Sequence, residues 1–120
     1  MTILTSTAAV IVTFNRSAKL MRVLDALEAQ TLKLNLIFIV DNASTDDTRD
    51  LVAKRAKVMD SIRYIGLPEN IGGAGGFHAG IKAAYAAGSN YLWISDDDAY
   101  PEPDAIERLL TAIIEFEEEN

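Results

Sequence analysis

Apolar and polar residues fall in alternating blocks along this chain. Ala8 to Thr13 (AAVIVT) is a β-branched apolar run of strand length, the pattern of a strand buried on both faces. Leu20, Leu24 and Leu27 then recur at helical spacing. They predict a helix over 18–30 with one apolar face and Ser17 as its cap. Asn35 to Val40 (NLIFIV) reads as a second buried strand. A second helix is predicted over 46–57, capped by Ser44 or Thr45, with Asp46 and Asp47 in the first turn, where the helix dipole favours acid. Ser61 to Ile65 (SIRYI) is a third strand. The glycine-rich stretch Gly72 to Gly76 leads into a third helix over 77–87, ending near Gly88. Tyr91 to Ser95 (YLWIS) is a fourth strand. Pro101 and Pro103 precede a last helix with Ile106, Leu109, Leu110 and Ile113 on one face.

The predicted order is β-α-β-α-β-α-β-α. Alternation of this kind implies right-handed crossovers and a parallel sheet covered on both faces. The expected fold class is therefore α/β, with three α/β/α layers and a mainly parallel sheet of about four strands in one domain spanning residues 1–120. Ligands of open α/β sheets bind outside the carboxyl ends of the strands. The segments expected on that rim are 13–16, 41–44, 70–76 and 96–98.

Composition narrows the partners. The chain has 120 residues with 49% hydrophobic and 24% charged content, the balance of a globular domain with a modest core. Net charge is −7, which argues against nucleic acid, because phosphate neutralisation needs Lys and Arg. An anionic ligand would need a metal or backbone donors. Cysteine is absent, so disulfides and thiolate metal sites are excluded. No apolar run approaches the ~18–20 residues of a membrane span, and the expected location is cytoplasmic. The acidic tail Glu115, Glu117, Glu118 and Glu119 reads as a solvated helix end.

Four segments carry candidate chemistry. Asp41 follows the second strand directly; there it either accepts from a ribose or base N–H, or closes an Asx-turn. The run ENIGGAGGFHAG holds four glycines in five residues, which costs chain entropy. The G-x-G-x-x-G phosphate motif fails at His78, and G-x-x-x-x-G-K-[ST] fails at Ile81. What is left is either a helix opening that offers N–H groups to an anion or tight helix-to-sheet packing. His78, the single histidine, could be a packed residue, a ligand contact or a metal ligand. Asp96, Asp97 and Asp98 stand together at a strand end. Adjacent carboxylates raise one another's pKa unless a cation compensates. Hard cations such as Mg²⁺ and Mn²⁺ are commonly held by one or two carboxylates plus substrate phosphates. A solvated acidic turn needs one aspartate as a cap, and three favour a metal or ligand role.

The segments AAVIVTFNR, VDNASTDDT, NIGGAGGF and WISDDDAYPEPDA, in this order and spacing, resemble the N-terminal half of family 2 glycosyltransferases with the GT-A fold. The branch with galactofuranosyl- and rhamnosyltransferases is the most similar. The resemblance spans about 8–114 and implies a Rossmann-like nucleotide-binding half. It implies that Thr13, Phe14, Asn15 and Arg16 border a nucleotide diphosphate sugar, commonly UDP- or dTDP-linked, and that Asp41 contacts the base. It places Asn70, Gly73, Gly75, Gly76 and His78 near the ribose or diphosphate. Asp96, with Asp97 beside it, would face the nucleotide. Asp98, with Asp96, would hold Mn²⁺ or Mg²⁺ as a D-x-D-type motif. It further implies inverting transfer to a glycan or lipid-linked acceptor in cell wall polysaccharide synthesis, and a membrane-peripheral location for a full-length protein.

Members of this family usually continue past the equivalent of Asn120, and no credible general base is found in the chain. It therefore reads as a donor-binding half lacking the acceptor half, with little or no transferase activity alone. Apolar surface left bare by that lack would favour a homodimer. A nucleotidyltransferase is the rival enzyme; it tends to carry a glycine-rich basic loop after the first strand, where this chain has TFNR. A non-catalytic interaction module is the third reading, and a dehydrogenase is disfavoured by the failed fingerprint.

Overall fold

The computed structural model describes residues 6–120. The chain runs β1 (Thr7–Thr13), α1 (Ser17–Glu28), β2 (Leu36–Asp41), α2 (Thr48–Ala56), β3 (Ile62–Gly66), α3 (Gly72–Ala86), β4 (Tyr91–Asp96) and α4 (Ala105–Glu119). The four strands form one sheet in the order β3-β2-β1-β4. All three pairings are parallel. The α/β order expected from the sequence is therefore the observed one.

Three helices share one face of the sheet. Leu20, Val23, Leu24 and Leu27 of α1 are buried with Val52 of α2 and Ile106 of α4 against Ala9, Ile11, Ile37 and Ile39. Each such side chain stabilises the fold by about 1.5–3 kcal/mol relative to exposure. The other face carries α3 alone, packed over Ala8, Val10, Phe38 and Val40. Beside α3 that face stays partly open, and Ile94 of β4 is 49% exposed. No helix among the described residues is long and apolar enough to cross a membrane.

Helix α3 begins five residues before its predicted start, so the glycines lie within its opening turns and not in a loop ahead of it. The residues buried on its inner face are Gly76, Gly80 and Ala84, one turn apart. A Cβ at Gly76 would stand 2.7 Å from Val12 Cγ1, and one at Gly80 would collide with Val10 Cγ1 and lie 3.0 Å from Val40 Cγ2. These two glycines let the helix axis approach β1 and β2 closely. That is the packing alternative of the sequence reading, realised at Gly76 and extended to Gly80.

The helix caps also differ from expectation. Ser17 is the first residue of α1, and its N–H is accepted by Asp46 Oδ2 at 3.3 Å, from a different loop. The start of α2 is held by Asp46, whose Oδ1 accepts from Thr48 N–H at 3.0 Å and from the Thr48 hydroxyl at 2.6 Å. Those bonds, the Thr48 hydroxyl first, hold the Asp46 carboxyl below its usual range. Ser44 and Thr45 are instead bonded to Asn15, so they cannot cap α2. Asp46 and Asp47 precede the helix, and Asp50 is the acid in its first turn. The acidic tail does form the exposed end of α4.

Gly80→Ala should lower stability. Overpacking costs about 1–3 kcal/mol, more than the ~1 kcal/mol gained in helix propensity. Gly73→Ala meets no atom within 4 Å and should leave stability unchanged or raise it by up to ~1 kcal/mol. Urea denaturation of the two variants checks the pair; equal midpoints would remove close approach as the reason for glycine at position 80.

Candidate functional site

The topology fixes where a ligand can bind. From β1 the chain steps to β2 and then β3 in one direction, then returns across the sheet through α3 to place β4 on the other side of β1. With right-handed crossovers, that reversal puts α3 on the opposite face from α1 and α2. The carboxyl ends of β1 and β4 therefore lie at the reversal of strand order, the place where open α/β sheets bind ligands, with α1 and α4 on one face and the start of α3 on the other. Thr13 pairs in register with Asp41, and Val12 with Asp96. The rim segments named from the sequence thus stand side by side.

A depression of about 410 Å³ opens there, lined by Thr13, Phe14, Arg16, Asn42, Asn70, Gly72, Gly73, Phe77 and Asp96 to Asp98 among others. Its size lies within the range of small-molecule sites. The three aspartates do not behave alike. Asp97 is 5% exposed. Its Oδ2 accepts from the Thr13 hydroxyl at 2.9 Å, and its Oδ1 lies 3.3 Å from Arg16 Nη1. The same Nη1 stands 3.6 Å from Asp98 Oδ2. Asp96 and Asp98 are exposed on either side of the buried Asp97. Among the described residues no three His, Cys, Asp or Glu side chains converge as a metal-holding group. The donor set is thus two exposed hard carboxylates. That set fits a divalent cation whose other ligands come from a phosphate-bearing ligand and water, and it fits poorly with tight binding of the cation alone.

Asn42 organises the far wall. It is buried, its Nδ2 donates to Gly72 O at 3.0 Å, and its Oδ1 accepts from Ile71 N–H at 3.2 Å. Asn70 Oδ1 accepts from Gly72 N–H at 2.9 Å. Gly72 takes φ 82°, a left-handed conformation that glycine adopts without steric cost. Asn15 is committed internally. At φ 52°, it accepts from Thr45 N–H at 2.7 Å and Asp46 N–H at 3.2 Å, and its own N–H donates to Ser44 Oγ at 2.9 Å. It ties the β1–α1 loop to the β2–α2 loop.

Asp41 lines a second depression of about 470 Å³ with Ala43, Ser44, Arg49, Tyr64, Gly66, Leu67 and Pro68. The chain leaving β2 separates the two depressions. Asp41 is buried; its Oδ1 accepts from Ser44 N–H at 2.9 Å and its Oδ2 from the Tyr64 hydroxyl at 2.7 Å. The turn alternative for Asp41 is therefore realised, and the residue also lines the second depression. Burial, then the hydrogen bond to Asp41 and its charge, push the Tyr64 hydroxyl up to about 12, with Arg49 opposing.

Not all expected residues meet here. His78 is exposed on the outer side of α3, in a shallow surface with Ala74, Ile81, Lys82 and Tyr85. A helix that starts at Gly72 turns position 78 away from the rim. Gly75 lies over Ile71, and Gly76 faces Val12; neither lines either depression. Conversely Phe77, Tyr64 and Arg49 were not singled out from the sequence, and Asn42 and Gly72 were placed on the rim without a role of their own. Asn42 and Tyr64 had a signal: one follows the strand-end Asp41, and the other is the polar-tipped residue near the end of the third strand.

The Tyr64 hydroxyl is neutral and bonded below its ordinary pKa of 10.0, so its stabilising contribution is complete there and is lost as pH rises through about 12. Tyr64→Phe should lower stability at neutral pH by ~1–2 kcal/mol, because Asp41 loses a buried partner. It should also remove a late step from the ultraviolet titration of tyrosinate. Tyr91 ionises late through Glu117 as well, so the difference between variant and wild-type curves is the measurement. A late step that persists unchanged in the variant would refute the assignment.

Comparison with known proteins agrees with this geometry. The chain is 37% identical over 112 residues to galactofuranosyltransferase GlfT1 of Mycobacterium tuberculosis, covering 92% of this chain and 36% of that protein. It is 38% identical over 93 residues to the Mycolicibacterium smegmatis GlfT1, covering 78% and 30%. The chain thus spans about a third of the length of these relatives. Among solved structures, S. aureus TarS 1-349 in complex with UDP-GlcNAc matches with TM-score 0.80 at 19% identity, covering 92% of this chain and 31% of that one. The mannosyltransferase PcManGT of Pyrobaculum calidifontis, in complex with GDP-Man and Mn²⁺, matches with TM-score 0.68 at 25% identity over 82% of this chain and 29% of that one. The sequence profile of Glycosyl transferase family 2 matches residues 8–119, and the chain belongs to that family.

Proposed function

We propose that this chain binds the nucleotide diphosphate sugar donor of a family 2 glycosyltransferase. The carrying observation is the pair of exposed carboxylates, Asp96 and Asp98, flanking a buried Asp97 in the crevice where the strand order reverses. In this reading Asp98 and Asp96 hold a Mn²⁺ or Mg²⁺ ion that accompanies the diphosphate. The ion supplies stabilisation of the charge that builds on the departing diphosphate. Gly72 and Gly73 at the start of α3, with Asn70, border the same space, and N–H groups at a helix start favour an anion. Phe14, 44% exposed, offers an apolar wall. Asp41, Tyr64 and Arg49 border the neighbouring depression, which takes the base.

Inverting transfer needs a general base for the acceptor hydroxyl. Among the residues lining the main depression, the only carboxylates are Asp96, Asp97 and Asp98. Glu117 on α4 is hydrogen-bonded to the Tyr91 hydroxyl at 2.8 Å, at the opposite end of β4. We therefore assign acceptor and base to residues outside these 120, and expect this chain alone to bind donor with little or no transfer. Exposed Leu109, Ile113 and Phe116 on α4 support the homodimer as part of the same reading.

Calorimetric titration of UDP, dTDP and GDP, with Mn²⁺ and then with EDTA, tests the proposal. At least one nucleotide should bind only with the metal. Asp98→Ala should weaken it about tenfold or more through loss of a charged ligand. Metal-independent binding, or an Asp98→Ala variant that binds as wild type does, would refute the metal assignment. A folded protein that binds none of the three would refute the donor reading itself.

A further inference from the structure

Arg16 sits where a cation belongs. It is the cationic side chain among those lining the main depression, in a chain of net charge −7. One Nη1 is shared between Asp97 at 3.3 Å and Asp98 at 3.6 Å. Neither contact is the bidentate fork that makes Arg–carboxylate pairs strong. The Arg16 side chain is 50% exposed and that of Asp98 47% exposed, so water screens the Asp98 contact and it is easily exchanged. Asp97 differs: it is buried and has the Thr13 hydroxyl as a second partner.

The surroundings allow the Arg16 side chain to move while little else does. The Arg16 carbonyl accepts from Leu20 N–H at 3.0 Å in the first turn of α1, which anchors its backbone. Asn15 beside it is locked to the β2–α2 loop. The turn after Asp98 is pinned from the other side, with the Arg22 guanidinium 4.2 Å from the centre of the Tyr100 ring. Two fixed backbones thus face each other across a weak, half-exposed ion pair.

We propose that Arg16 is a place-holding counter-ion. Before ligand arrives it neutralises Asp98 alongside Asp97. When a nucleoside diphosphate enters with its divalent ion, Arg16 gives up Asp98 and turns its guanidinium onto the diphosphate. Asp98 is thereby released to the ion at the moment the phosphates supply the ion's other ligands. The exchange conserves charge pairing at every stage and opposes capture of a bare cation by the acidic site. This inference rests on the donor reading above.

The test is Mn²⁺ titration followed by the electron paramagnetic resonance of free Mn²⁺, for wild type, Arg16→Gln and Arg16→Lys, each with and without UDP, dTDP or GDP. Circular dichroism confirms folding. Removing a competing cation should make Arg16→Gln hold Mn²⁺ alone about three- to tenfold tighter. The same variant should bind the nucleotide with Mn²⁺ about tenfold more weakly. Arg16→Lys keeps the charge and should hold Mn²⁺ alone as wild type does. Opposite signs in one variant are the signature, because a purely architectural arginine would weaken both together. If wild type binds a nucleotide but Arg16→Gln holds Mn²⁺ alone no tighter, the counter-ion role is overturned and the donor reading stands. An equal gain in Arg16→Lys also overturns it, by tracing the gain to shape and not charge. If wild type binds no nucleotide with Mn²⁺, both fall together.

Discussion

A buried carboxylate sets the terms for the rest of this site. Taking Asp97 out of water is costly unless it is paired and hydrogen-bonded, and the Thr13 hydroxyl and Arg16 meet that need. The two bonds cross-link the ends of β1 and β4, the strands between which the chain reverses direction. With one aspartate turned inward, its neighbours on either side are left in solvent. A row of three acids that looks redundant in the sequence thus divides into one buried anchor, Asp97, and two exposed carboxylates, Asp96 and Asp98.

The opposite wall depends on a second constraint, the close seating of α3. The buried residues of that helix against the sheet are all small, Gly76, Gly80 and Ala84. Close seating brings the start of α3 down onto Asn42, whose amide holds both Ile71 and Gly72. The glycine run therefore does two jobs at different positions. Gly76, with Gly80, sets the helix height, while Gly72 and Gly73 keep the mouth of the depression free of side chains.

The succession of strands and helices along the chain and the rim segments were legible because each rests on local pattern. The β-branched runs define β1 and β2, and the leucine spacing defines α1. The misplaced features all depend on tertiary partners. Asp46, one residue ahead of the cap position, bonds Thr48 at the start of α2 and also takes the Ser17 N–H, and nothing near Ser17 in sequence announces a partner 29 residues away. The start of α3 was missed because glycine is a poor helix former in isolation, whereas here packing on Val10 and Val12 decides. The resemblance places His78 near the ribose or diphosphate, and the earlier start of α3 leaves it on the exposed side of that helix. The family resemblance places Asn15 beside the nucleotide; in the structure its side chain accepts from the backbone of the next loop, which no local pattern announces. For Asp41 the sequence left two alternatives; the Ser44 N–H closes the turn on one oxygen, and the hydroxyl of Tyr64, 23 residues away and not foreseen, takes the other.

A protein this acidic can hold an anion only by assembling positive potential locally. Its net charge repels diphosphate at long range, but at ~0.15 M salt that field is screened beyond about 8 Å. What counts is therefore within one Debye length of the crevice. Among the residues lining it, the structure offers one guanidinium, Arg16, the start of α3 at Gly72 and Gly73, and two exposed carboxylates, Asp96 and Asp98. The carboxylates would repel the ligand by themselves and attract it through the ion, so their sign of action reverses on metal binding. Under the donor reading proposed above, such a site would favour ligands that bring a hard cation with them over both bare phosphate and bare metal. Arg16, shared between the acids and the space in front of them, lies where those two preferences meet.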